Sequence, residues 1–234
     1  MLFYDPTFIL LIPALIFSIW AQTNINHTFR KYSQVFNRRG YTGADVARRI
    51  LHINGLSEVT VERVEGNLTD HFDPRTNKVY LSDSTYNSQS VGAIGVAAHE
   101  VGHAVQHATG YTPIRIRNGI VPVVNLCSKL SLPILLIGVL FARLGGIFST
   151  LITIGIILFS AGVFFQLVTL PVEFNASNRA LQTLDGQGIL DGEELKGASA
   201  VLRAAALTYV AAALSSVLSL LRLILLFGGN RRRS

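Results

Sequence analysis

Four long stretches of this chain lack charge, and they restrict its fold more than any other feature. Residues 6–29 carry no charged side chain, residues 118–142 carry only Lys129, residues 145–172 carry none, and residues 204–221 are uncharged up to Arg222. About 20 consecutive apolar residues make a helix as long as the hydrocarbon core of a bilayer is thick. Each stretch therefore predicts a membrane span, and 50% apolar composition over 234 residues argues against an ordinary soluble domain. The expectation is an integral, multi-pass protein with about four transmembrane helices in contact with the lipid bilayer. The first stretch reads as an uncleaved anchor, because Met1 to Thr7 has no positive charge and includes Asp5, and no small-residue cleavage site follows Trp20.

Composition removes several other classes. The single cysteine, Cys127, lies in the second stretch, so no disulfide framework is available within the chain. The formal net charge of +6 is spread over loops and span flanks and is not interleaved with aromatics in one patch, so no nucleic-acid partner is expected. A channel or transporter would line several spans with polar groups, and only Lys129 and Gln166 qualify.

Between the first and second spans lies a polar segment of about 90 residues with its own local signals. Thr42 is placed to cap a helix with Asp45 three positions on; Val46, Ile50 and Leu51 form its apolar side, and Gly55 ends it. "SEVTVERVEG" suggests a strand through Val59, Val61 and Val64, and "LTDHF", "DPRTNK" and "VYLS" suggest a hairpin turning at Asp73-Pro74. Ser88 or Ser90 then caps a helix that runs to Gly110. The order helix, small antiparallel sheet, helix is an α+β layout, mostly helical once the spans are counted.

The last of these helices contains "AAHEVGHAVQH", residues 97–107. His99-Glu100-Val101-Gly102-His103 has the form H-E-x-x-H, which on a helix puts both imidazoles on one face, a turn apart, where they can share a zinc ion. His107 lies eight residues beyond His99, a rise of about 12 Å, too far for a common ion on a straight helix. It reads as a packing or capping residue, and His71 as a hairpin residue. A third ligand must come from elsewhere. The best candidate is Glu173 in "TLPVEFNASNRALQTL", because the second and third spans, joined by the short "ARLGG", form a hairpin that returns the chain to the side of His99 and His103.

Together these segments resemble a known family, the neutral zinc metallopeptidases of prokaryotic membranes, the YugP-like group. The resemblance covers nearly the whole chain, through "FYDPTFILLIP", "GYTGADVARRIL", "LTDHFDPRTNKVYLSD", "AAHEVGHAVQHATGY" and "LPVEFNASNRAL". More distantly the chain is similar to the membrane gluzincins, which include heat-shock-induced membrane proteases and CAAX prenyl endopeptidases. The resemblance implies a zincin-like core, one Zn2+ per chain held by His99, His103 and Glu173, and Glu100 as catalytic base. Membrane gluzincins usually place an aspartate four residues after the ligand glutamate to orient a zinc histidine; here that position is Ser177, so support falls to its hydroxyl, to Asn175 or to another acid.

The implied activity is endopeptidase hydrolysis of a peptide or protein substrate, membrane proteins included, by a water whose pKa zinc lowers toward 7 and whose proton Glu100 takes. Arg179 or Tyr111 would supply a further donor to the oxyanion. Val79, Tyr80 and Leu81 would bind substrate by strand addition if their strand is an edge. The competing class, a zinc-binding scaffold or regulatory pseudoprotease, would not need Glu100. In outline, residues 1–24 form the anchor, 25–115 the zincin-like domain, 118–170 the transmembrane hairpin, 171–200 the glutamate helix and loop, 201–228 the last membrane helix and 229–234 a basic tail. Arg30, Lys31, Arg38 and Arg39 follow the first span and nothing basic precedes it, which predicts a cytoplasmic zinc site in a prokaryotic cell membrane. Four spans then leave the C-terminal arginines outside, against the same rule. The sequence does not set the oligomeric state.

Overall fold

The computed structural model describes residues 5–228, so the expected basic tail at 229–234 lies outside the described residues. After a 3-10 turn at Pro6–Leu10 come α1 (Leu11–Tyr32), α2 (Gly43–Ile53), β1 (Thr60–Val64), β2 (His71–Asp73), β3 (Lys78–Ser82), α3 (Val91–Ala108), α4 (Thr112–Leu140), α5 (Ile147–Gly186) and α6 (Gly192–Phe227). The chain is thus mostly helical with one small sheet. α1 with its leading turn, α4, α5 and α6 are each long and apolar enough to cross a membrane. The contacts of the described residues divide into two units: residues 5–20, 116–170 and 209–228 form one, and residues 21–115 and 171–208 the other.

The first unit is the apolar one. Its α1 segment exposes Ile12, Leu15, Ile16 and Ile19, a surface suited to hydrocarbon and unsuited to water. α4 and α5 are joined by a tight turn in which Gly145 and Gly146 both take positive φ (69° and 54°), as the short "ARLGG" connection requires.

The second unit has a core of its own. α2 starts with the expected capping box, the Thr42 side chain accepting from the Asp45 amide while the Asp45 carboxylate accepts from the Thr42 amide. That pairing, and the Thr42 hydroxyl bond above all, holds the Asp45 carboxyl below its ordinary pKa. α2 ends at Gly55 (φ 70°), where the Gly55 and Leu56 amides close back on the His52 and Leu51 carbonyls. Ser90 caps α3 through the Ala93 amide. At the other end Gly110 and Tyr111 donate to the carbonyls of His107 and Gln106, with Gly110 at φ 64°. Val46 and Ile50 of α2, Val79 and Leu81 of β3, Ile94, Ala97 and Val101 of α3, and Leu184 and Leu202 from α5 and α6 are buried together in one cluster.

Two expectations change. The sheet is mixed: its order is β1-β3-β2, with β2 antiparallel to β3 as the hairpin demands and β1 parallel to β3. The connection from β1 to β2 reverses the chain and leaves a gap into which β3 returns. β3 is therefore central, with both edges paired over Lys78 to Tyr80. Val79 and Leu81 are fully buried, Leu81 paired to β1, and Tyr80 stacks on His71 with ring centroids 4.9 Å apart. That pairing leaves no free edge for strand addition at Val79 and Tyr80, and Leu81 is fully buried with its β1 side taken. The second change is that α5 runs unbroken through Pro171, so the third span and the glutamate segment are one helix and not separate pieces.

Candidate metal centre

α3 puts His99 and His103 one turn apart, with ring centroids 4.7 Å apart and the planes nearly perpendicular at 83°. α5 brings a buried carboxylate to them: Glu173 Oε2 lies 3.2 Å from His99 Nε2 and 3.5 Å from His103 Nε2. One ligand atom from each of the three lies within 4.8 Å of the others. With bonds of about 2.0 to 2.1 Å, neighbouring corners of a tetrahedral zinc site stand about 3.3 Å apart. The two separations to Glu173 lie close to that value, so His99, His103 and Glu173 offer a donor set suited to the ion.

The opposite ring nitrogens are also held. His99 Nδ1 is 3.1 Å from Ser177 Oγ and His103 Nδ1 is 3.0 Å from Gln106 Oε1. For His103 this fixes the tautomer. Gln106 is fully buried, and its amide nitrogen donates to the Val172 carbonyl at 2.8 Å and to Asn175 Oδ1 at 3.0 Å. A backbone carbonyl can only accept, so the amide nitrogen faces it and Oε1 must face the imidazole. Nδ1 of His103 then carries a proton toward Gln106, which leaves Nε2 as the ring atom that faces Glu173 and that a metal ion would take. Arg179 Nε donates to the same Asn175 oxygen at 2.8 Å, and its guanidinium lies over the Tyr111 ring at 6.0 Å.

The approach of the two helices has a local cause. A Cβ at Gly102 would stand 2.7 Å from the Ala176 carbonyl oxygen of α5, so the second-last residue of the pentad must be glycine for α5 to come this close. Glu173 and Ser177 flank Ala176 and reach the histidines from either side of that contact. Burial disfavours the imidazolium of His103, yet its hydrogen bond to Glu173 and the nearby charges of Glu100 and Glu173 outweigh burial and hold its pKa above the ordinary histidine value.

The structure gathers His99, His103 and Glu173 and puts Ser177 in the supporting position. Glu100 follows His99 on α3, half-buried, with its charge near enough to act on His103. His107 stays exposed, its ring 5.9 Å from Phe72, and His71 lies in β2, so neither joins the cluster. Arg179 belongs through Asn175 and Gln106 to the support of His103, and the Tyr111 hydroxyl reaches only the Pro171 carbonyl, at 3.5 Å. Gln106 is the residue that sequence reasoning missed. Its signal was its place three residues after His103, on the same helical face of an otherwise apolar segment.

This geometry has two measurable outcomes. Gly102→Ala and Gln106→Leu should each weaken zinc binding about 10- to 100-fold, the range for loss of support to a metal ligand, as read by titration against a chelating dye. A variant at either position that binds zinc like the parent would dissociate that residue from the centre. Proton and metal also compete for His103 Nε2. As pH is lowered, apparent zinc affinity should begin to fall above the pKa of an ordinary histidine, and the same titration across pH 5 to 8, roughly the span over which histidines ionise, checks this.

Comparison with known proteins places the geometry in context. The family model described as "Putative neutral zinc metallopeptidase" matches residues 7–228. A protein of Bacillus subtilis (strain 168) described as "Putative membrane protease YugP" is 51% identical over 222 residues, which cover 95% of this chain and 96% of the relative. No solved structure matches the chain.

Proposed function

The chain belongs to this family of zinc metallopeptidases, and on that premise we propose that it is a membrane-embedded endopeptidase that binds one Zn2+ through His99, His103 and Glu173 and uses Glu100 as general base. The observation that carries the reading is the approach of Glu173 Oε2 to Nε2 of both histidines, at separations close to a tetrahedral edge, with one ligand atom from each of the three within 4.8 Å of the others. Zinc bound there would supply an electrophile, with one coordination position left for the reaction.

The protein's own groups do the rest. Glu100 is engaged neither in supporting a ligand nor in an ion pair: it has no hydrogen-bond partner among the described residues, and its half-buried carboxylate is free to accept the proton of the attacking water and return it to the leaving amine. Gln106 and Ser177 hold the two rings with Nε2 toward Glu173, the orientation in which the three residues would hold the ion. A zinc-binding scaffold would need the triad and its supports but would have no use for a free carboxylate beside them.

We place the zinc site on the cytoplasmic side. Arg30, Lys31, Arg38 and Arg39 follow the first span, and on the opposite side Arg222 is ion-paired to Asp5, which reduces its weight in the charge asymmetry.

Casein proteolysis should disappear in Glu100→Gln while bound zinc stays at about one per chain, and Glu173→Gln should lose most of the metal. Full activity in the first variant would remove Glu100 from the mechanism; full zinc occupancy in the second would remove Glu173 from the ligand set. Reporter fusions test the sidedness: a fusion after Gly110 should report cytoplasm and one after Ser234 the exterior, and the reverse pattern would invert the proposed orientation.

A further inference from the structure

We propose that α4, α5 and α6 form, within the apolar unit, a docking site for a transmembrane helix of the client protein, one that carries an uncharged hydrogen-bonding side chain in its membrane-spanning part. Cleavage of a docked client rests on the endopeptidase reading; the docking itself rests on a cavity. This half-open cavity of about 450 Å3 is lined by Ser128 and Ser131 of α4, Gln166 of α5, and Ser216, Ser219 and Arg222 of α6, among apolar neighbours.

Hydrocarbon surroundings penalise polar groups without partners. Three of the six polar residues have one. Ser131 Oγ donates to the Ser128 carbonyl at 3.1 Å and Ser216 Oγ to the Ala212 carbonyl at 2.9 Å. Arg222 is engaged by Asp5 and by Thr7, and its guanidinium lies 4.1 Å from the Phe8 ring centroid. The half-buried Gln166 amide and the Ser219 hydroxyl have no hydrogen-bond partner among the described residues.

Charge then selects the occupant. Asp5 neutralises Arg222, so the cavity offers donors and acceptors without a free cation for an anionic headgroup. An acyl chain would leave Gln166 and Ser219 unsatisfied. A membrane helix bearing Asn, Gln, Ser or Thr offers them hydrogen-bonding partners, and Gly162 together with the serines lets its backbone come close. α5 carries the cavity amide and the candidate zinc ligand alike, since Gln166 precedes Glu173 by seven residues in one unbroken helix. Clients would accordingly be membrane proteins with a polar residue in a span.

The test uses the full-length Glu100→Gln protein in phosphatidylcholine vesicles and two synthetic single-span helices, identical except for a central Asn or Leu, with energy transfer between labels reporting binding. The Asn helix should bind about tenfold more tightly, the scale of one interhelical hydrogen bond in a bilayer. Gln166→Leu combined with Ser219→Leu should abolish that preference while zinc content is unchanged; if the pair disturbs zinc binding, Ser219→Leu alone decides. Equal binding of the two helices, a preference that survives the substitutions, or displacement by anionic phospholipid overturns the site. With active protein and a cleavable tail on both helices, the tail on the Asn helix should be cut faster, and equal rates overturn the docking proposal. Preferential binding with no cleavage of either tail or of casein would instead overturn the endopeptidase reading and leave the docking site standing.

Discussion

The contact between Gly102 and the Ala176 carbonyl sets how close α3 and α5 come, and the metal centre depends on that distance. A methyl group at residue 102 would stand 2.7 Å from a backbone oxygen that cannot rotate away. Overpacking of this kind costs about 1 to 3 kcal/mol when the structure yields, and the yielding element here would be the helix that delivers Glu173. α3 meets other neighbours in the same manner: Gly92 lies against the Tyr32 backbone and Gly95 against Ala198 of α6. Gly92, Gly95 and Gly102 follow helical spacing along the face of α3 that also carries His99 and His103, so small residues let neighbouring segments approach where the histidines project.

The centre that results is supported by neutral groups. A carboxylate behind a zinc histidine raises its basicity, but Ser177 and Gln106 bring no charge. Gln106 provides direction in place of charge, because its other two hydrogen bonds leave it only one orientation. The departure of Ser177 from the gluzincin pattern is thus matched by an amide on the opposite histidine.

Local spacing made much of this legible in the sequence. The four apolar stretches, the Thr42 and Ser90 caps, Gly55 and Gly110, and the pairing of His99 with His103 all depend on residues a few positions apart, and helical periodicity exposes them directly. Glu173 was reachable for a different reason: a span hairpin carries the chain back to the side it left. Strand order had no such signal. That β3 inserts between β1 and β2 depends on a nonlocal closure, and the alternation of Val79 and Leu81 would look the same at an edge or in the centre. Gln106 was hidden because a lone amide on an apolar helix carries no signal until its partners, Val172 and Asn175, arrive from a helix some 70 positions away. The resemblance to the metallopeptidase family supplied the role of Glu100, which neither spacing nor burial assigns by itself.

Polar groups are handled by different rules in the two units, and the difference is informative. In the unit that holds the histidines, buried polar side chains are satisfied across elements: Gln106 joins α3 to α5, Asp70 accepts from the Ser82 amide and hydroxyl, and Asn37 donates to the Tyr41 and Gln89 carbonyls. Such bonds fix relative positions, which a metal site needs. In the apolar unit the hydroxyls mostly turn back on their own helix, as Ser131, Thr153, Ser160 and Ser216 do to carbonyls three or four residues earlier. That habit removes a cost without linking helices, and it leaves the few cross-helix polar contacts, Asp5 with Arg222 and Ser18 with Ser215, to do the joining. Gln166 follows neither rule. Its amide has no hydrogen-bond partner among the described residues, and an unpartnered amide in a membrane span is a cost until a partner is supplied.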